Sequence, residues 1–242
     1  DDPTVGGYTP ERVALRRAVA LGFDNAEYIR SIFSGFGIAA ESPFVPGTFG
    51  YDPALHTPMS VFDPARARAL LDTFGYVDRD GDGWREQPDG RPLVLELAAS
   101  NTQRERNANE LWRKYMAAIG LRMSFRIAQW PELVRQSMAG QLMMWGYSWQ
   151  VNEPDSGTIF GMGYGPNKQA INDARFDLPA YNALFERQRV LADGPQRLAL
   201  LRDSSRMMIA YMPYHLHLHR VSVDLAQPWV IGYRRHPFTS RA

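Results

Sequence analysis

Three groups of residues in this sequence have types and spacings that could do chemistry. The first is Gly146-Tyr147-Ser148-Trp149-Gln150, which follows an apolar run, Leu142 to Trp145. The run reads as a buried strand. The group nearly matches Gly-x-Ser-x-Gly, the elbow that presents a nucleophilic serine between a strand and a helix. Gln150 stands where the last glycine would be, and no helix is signalled directly after it. The second group is His215, His217 and His219, which alternate and so project to one face of a strand. Imidazoles are good ligands for zinc, copper or nickel. Neighbours on one face of a strand lie about 7 Å apart, so one ion would need a further donor such as His236. The third group is Asp78, Asp80 and Asp82 followed by Gly83, the first half of a calcium loop. Position twelve of that pattern falls on Asp89, where a glutamate is the strong ligand, and Pro88 interrupts the loop. A polar Asp/Gly turn is the competing reading.

The first group has a second reading, as the wall of a ligand cleft. Open α/β sheets place ligand sites beyond the carboxyl ends of their strands. Trp145, Tyr147, Ser148, Trp149 and Gln150 occupy such a position, and Asn152, Glu153 and Asp155 follow closely. Strand alternation predicts that the three aromatics share one face while regular geometry lasts. The plainer alternative leaves them in the core.

Composition narrows the classes. The 242 residues are 45% hydrophobic and 22% charged, which is ordinary for a globular protein. The 27 basic and 26 acidic residues nearly cancel, to a net charge of +1. That balance argues against nucleic acid or an anionic membrane as the main partner. With no cysteine, disulfides and thiolate sites are excluded. No apolar run approaches the ~18 residues of a membrane span. No phosphate-cradling glycine loop and no His-Glu-x-x-His is present, so no cofactor is indicated. The ends, Asp-Asp-Pro-Thr and Arg241-Ala242, read as cuts inside a longer protein.

The elements that must hold these groups follow from period and punctuation. Thr9-Pro10 starts a helix, Asp24 with Glu27 caps a second, and Asp63-Pro64 opens a third that ends at Gly75. Residues 36 to 62, rich in proline and glycine, read as a long connection. Leu93 to Ala99 reads as a strand, 102 to 119 as an amphipathic helix, and Leu121 to Ile127 as a strand. Such a βαβ unit requires the two strands to be parallel. A short helix from Pro131 to Met138 leads to the strand of the first group. Residues 156 to 175 read as loop, helices are predicted at about 178 to 192 and 195 to 210, and Tyr214 to Leu225 as one long strand.

Several of these pieces, in this order, resemble the family 5 extracellular solute-binding proteins of ABC importers. Arg12 to Asp24 is similar to the family's VRRALALAID helix, and Asp63 to Leu71 to its DPAKAKALL helix. Gly75-Tyr76 with Asp80 to Gly83 is similar to its GY..DGDG turn. Tyr181 to Phe185, Pro213 to Arg220, and Trp229 to Tyr233 match its closing elements. The resemblance implies that residues 1 to 242 form the C-terminal lobe of a two-lobe clamshell, a single α/β lobe with a mixed sheet flanked by helices. The other, N-terminal lobe would come from sequence not present here. It implies capture of a peptide or other small solute in the periplasm and delivery to the membrane subunits of an ABC permease, without catalysis. It also aligns Gln150 with an aspartate that pairs with a peptide's α-ammonium group. Gln150 is neutral, which leaves Glu153 or Asp155 to supply a charge. The alternatives are a serine hydrolase using Ser148, and a metal-binding module using His215, His217 and His219.

Overall fold

The structure is a computed structural model, and it describes residues 2–234. Its centre is a three-stranded parallel sheet in the order β3-β2-β4. These strands are β2 (Val94–Ser100), β3 (Arg122–Ala128) and β4 (Met144–Trp145). The expected βαβ unit is present: β2 pairs in parallel with β3 from Val94 opposite Arg122 to Ser100 opposite Ala128. The crossover is the helix Gln103–Ala117. Thr102 starts it, accepting the Glu105 N–H at 3.2 Å. Its buried residues Ala108, Trp112, Tyr115 and Met116 recur at helical spacing, which is why it lies on the sheet.

In chain order the helices are α1 (Pro10–Gly22), α2 (Asn25–Ile32), α3 (Pro64–Thr73), α4 (Gln103–Ala117), α5 (Trp130–Met138), α6 (Pro179–Gln188) and α7 (Pro195–Tyr211). Asp24 and Asp63 cap α2 and α3, each accepting an N–H three residues on at 2.9 Å. Such caps contribute about 1 kcal/mol each. Thr9 sits at the start of α1, but its hydroxyl makes no capping bond, and its carbonyl accepts the Val13 N–H instead. After α3 the chain turns at Gly75, whose φ of +80° suits glycine at a helix C-terminus. Helix α1 packs on α3, and α6 on α7. None of the described helices is long and apolar enough to cross a membrane.

Two apolar clusters hold the architecture. One joins Leu15, Phe23, Leu71, Leu95, Met116 and Ile119, binding α1, α3 and α4 to one face of the sheet. The other joins Phe44, Phe160, Phe176, Tyr181, Leu201 and Met208, binding α6 and α7 to the loop before them.

Two expectations need revision. The predicted strand from Tyr214 to Leu225 pairs only over β5 (Leu218–Arg220). Its partner, β1 (Gly37–Ala39), lies in the proline-rich stretch read as pure connection, and the pair is antiparallel. A three-residue partner can satisfy only three residues of a strand. The parallel and antiparallel pairings therefore fall in two separate sheets. Residues 156 to 175 also contain two short 3₁₀ segments, Ile159–Gly163 and Gly165–Asn167.

Candidate functional site

Strand β4 is short because the chain leaves the sheet at Gly146. Before leaving, it pairs with the carboxyl half of β2, Leu97 opposite Met144 and Ala98 opposite Trp145. The next residues run without regular structure along the wall of a cavity of about 1440 Å³. Trp145, Tyr147 and Trp149 form a continuous row there. Ring centroids are 4.5 Å apart for the first two and 5.2 Å for the second pair. These separations are those of rings in direct contact.

Trp130, the first residue of α5, extends the row, 5.5 Å from Trp145 and 5.8 Å from Tyr147. The sequence gives no periodic signal for it, since it directly precedes the helix-starting Pro131. Trp130 and Trp149 remain 48% and 41% exposed, so a large part of each side chain is left without a protein partner. Burying such a face against a ligand is favourable by roughly 25 cal/mol per Å².

Tyr147 is fixed by its hydroxyl, which donates to Asp173 Oδ2. Ser137 Oγ donates to the other oxygen of Asp173 at 2.6 Å. Burial raises the Tyr147 phenol above its ordinary range, and the bond to Asp173 raises it further, so the ring stays a neutral donor. Asp173 lies in the stretch read from sequence only as loop.

Ser148 and Gln150 are exposed and line the cavity beside the aromatic row. Among the described residues neither side chain has a hydrogen-bond partner. No described histidine is bonded to Ser148, and the backbone has no helix between Trp145 and Ile159 to complete a nucleophile elbow.

Asn152, Glu153 and Asp155 lie beyond the cavity lining. Asn152 and Glu153 are exposed, and Glu153 accepts a bond from the Thr158 hydroxyl. The chain turns away here because the Pro154 carbonyl accepts the Phe49 N–H at 3.0 Å. Both oxygens of Asp155 accept from Arg197 Nη2 at 2.9 Å, and Oδ1 also accepts the Gly157 N–H at 2.8 Å. Partial burial works to raise the Asp155 carboxyl, but Arg197 and the Gly157 N–H outweigh it and hold it below its usual value. The buried Arg197 also reaches Asp193 Oδ1 at 2.5 Å and Gln188 Oε1 at 3.1 Å.

The two candidate metal groups are placed differently. The His215 and His217 rings are in contact, 4.2 Å between centroids with their planes tilted by 51°. The buried Asn25 links them, its oxygen 2.8 Å from His217 Nδ1 and its nitrogen 3.3 Å from His215 Nε2. Burial pushes His215 down to about 4, and His217 well below its ordinary value, with His215 adding to the effect. His219 stands apart, its ring 6.4 Å from Tyr51, and burial pushes it to about 4 as well. Among the described residues the three histidines do not converge on one point with each other or with a further donor. His236 lies outside the described residues.

In the Asp-rich loop, Asp78, Asp80, Asp82 and Glu86 bring one oxygen each within 4.8 Å of one another. The fourth carboxylate is Glu86, not Asp89, which instead pairs with Arg91 at 2.8 Å. These carboxylates also cap their own turn. Asp78 accepts the Gly81 and Gly83 N–H groups at 2.8 and 2.9 Å, and Asp82 accepts from Trp84 at 2.8 Å.

The site is thus an aromatic-walled cavity at the carboxyl end of a parallel sheet. The comparisons name the family. Residues 9–170 match the family model described as bacterial extracellular solute-binding proteins, family 5 middle. The chain belongs to that family. It is similar to the di/tripeptide-binding protein 2 of Pseudomonas aeruginosa (strain UCBPP-PA14), 29% identical over 231 residues, covering 94% of this chain and 41% of that protein. Two solved structures share the fold. One is a Thermotoga maritima periplasmic oligopeptide-binding protein bound to mannohexaose, with TM-score 0.76, 16% identity, and 87% and 41% of the two chains covered. The other is NikA of Brucella suis in complex with Fe(III)-EDTA, with TM-score 0.73, 21% identity, and 86% and 42% covered. The chain thus spans about two fifths of the length of these relatives.

Proposed function

We propose that this chain is the solute-holding lobe of an ABC-importer binding protein. It grips a peptide or other small solute against Trp130, Trp145, Tyr147 and Trp149, and no bond is made or broken. A second lobe, encoded outside this sequence, closes over the ligand, and the closed form docks on the membrane subunits of a permease. The compartment is that of the family, extracellular or periplasmic. The observation that carries this reading is the row of contacting, half-exposed rings on the wall of a large cavity. Large aromatic faces left open beside a concavity are the usual recognition surface of a small-molecule site.

Membership of the family supports the reading, as do the printed names of relatives, which include a dipeptide-binding protein of Escherichia coli. The test is native mass spectrometry of the full-length protein purified under mild conditions. A small solute retained at one per protein molecule, and released on denaturation, is the expected result. A protein that carries none, and shows no calorimetric response to peptides, sugars or metal chelates, would contradict the reading.

A further inference from the structure

The aromatic wall carries a negative charge that no described side chain neutralises. Asp173 lines the same cavity as Trp130, Trp145 and Tyr147 and is half-buried. Its two hydrogen-bond donors, Tyr147 and Ser137, are both neutral hydroxyls. Of the other carboxylates on or near this wall, Asp155, Asp177 and Asp2 have their charge or their oxygens engaged, while Glu105, also in the cavity lining, has among the described residues no ion pair and no hydroxyl that orients it. Asp155 is paired with Arg197, and Asp177 with Lys168 Nζ at 2.6 Å. Asp2 accepts two N–H groups of its own turn, from Thr4 and Val5. Among the described residues, Asp173 has no lysine, arginine or histidine within ion-pair distance.

The two hydroxyls fix the Asp173 carboxylate in orientation and leave its charge uncompensated. Each oxygen keeps acceptor capacity after accepting one hydroxyl. A charge-assisted bond from a cation is roughly twice as strong as a neutral one, and a half-buried site strengthens it. The neighbouring ring faces favour positive charge as well, because the π-face is the negative pole of the aromatic quadrupole. With one hydroxyl already on each oxygen, the carboxylate is poorly free for the planar, two-pronged fork of a guanidinium. A compact ammonium needs only one open lone pair.

We propose that Asp173 is the acceptor for a primary ammonium group of the solute, whose flat or apolar body lies on Tyr147, Trp145 and Trp149. This rests on the solute-binding reading above and deepens it. It also moves the charge. The resemblance placed the ammonium acceptor at the position of Gln150, with Glu153 or Asp155 as substitutes. Gln150 is neutral, and Glu153 and Asp155 are bonded away from the cavity. Asp173 reaches the same wall from a separate segment.

The test uses the full-length protein and two matched pairs of probes: Leu-Phe with N-acetyl-Leu-Phe, and tryptamine with N-acetyltryptamine. Acetylation removes the charge and keeps the body. In calorimetry the free amine of at least one pair is expected to bind tenfold or more tightly than its acetylated partner. Asp173→Asn, which keeps one carbonyl acceptor, is expected to abolish that discrimination, so that the free amine and its acetylated partner bind the variant within threefold of each other. Failure of both pairs to discriminate in the wild-type protein would overturn the proposal without any variant. Discrimination that survives in Asp173→Asn would also overturn it, and would move the acceptor to another cavity carboxylate such as Glu105. A neutral solute found in the purified protein would overturn Asp173's role while leaving the solute-binding reading intact.

Discussion

Tyr147 and Asp173 are joined by a hydrogen bond across 26 residues of chain, the phenol donating to the carboxylate. Through it the end of strand β4 is tied to the loop that precedes α6. Tyr147→Phe keeps the ring and removes the donor. Hydrogen bonds to charged groups contribute roughly 1.5–3 kcal/mol, and partial exposure reduces this, so a loss of about 1–2 kcal/mol is expected. Urea denaturation of the two proteins measures it, and an unchanged midpoint would mean that the bond does not tie the wall.

Arg197 holds the turn that follows the site. It is buried, and Asp155, Asp193 and Gln188 converge on it. Arg197→Met leaves Asp155 without its cation at a half-buried position. Breaking a buried pair from one side costs about 3–5 kcal/mol, and the exposure of Asp155 lowers the expected cost to about 2–3 kcal/mol. The pH dependence has a fixed sign. The folded Asp155 carboxyl titrates below its unfolded value. Its contribution is therefore complete above the ordinary carboxylate range and is lost as pH falls through the folded value. Chemical denaturation from pH 5 downward should show a shallower acid loss in Arg197→Met than in the wild-type protein.

The histidines act in a different window. His215 and His219 are pushed down to about 4. Between the unfolded histidine value of about 6.5 and pH 4, the unfolded chain binds protons that the folded chain refuses. Stability should fall with acidification across that window, with a limiting slope near 1.4 kcal/mol per pH unit per histidine. His219→Gln should reduce the slope, because His219 stands apart from the Asn25 network. A slope identical to the wild-type value would contradict neutral burial of His219.

Much of the frame was legible in the sequence. The 3.6-residue period of Ala108, Trp112, Tyr115 and Met116, set between the apolar run Leu93 to Ala99 and the alternating run Leu121 to Ile127, required a βαβ unit, and the parallel register follows. Helix starts at Asp24 and Asp63 were legible because a cap is a local bond between residues three apart. The pairing of Gly37–Ala39 with Leu218–Arg220 was not, because its two halves meet only through the tertiary fold. At the site, strand alternation reaches only Trp145, where β4 ends, and Tyr147 and Trp149 join the row from irregular chain. Trp130 joins them from a helix start that gives no periodic signal, and Asp173 from a segment rich in asparagine, aspartate and glycine. Asp155 stands close to the row in sequence but not in space, since Pro154 is anchored to Phe49 and Arg197 draws the carboxylate away.

The central claim is that the exposed indole of Trp149 is a contact surface for a solute. Calorimetric titration of full-length wild-type and Trp149→Ala proteins, with whichever solute the purified protein retains, tests it most directly. The indole is 41% exposed and takes no part in the two main apolar clusters, so thermal stability should be nearly unchanged. Affinity should fall tenfold or more, which is about 1.4 kcal/mol. Equal affinity in the two proteins would show that the solute is held elsewhere.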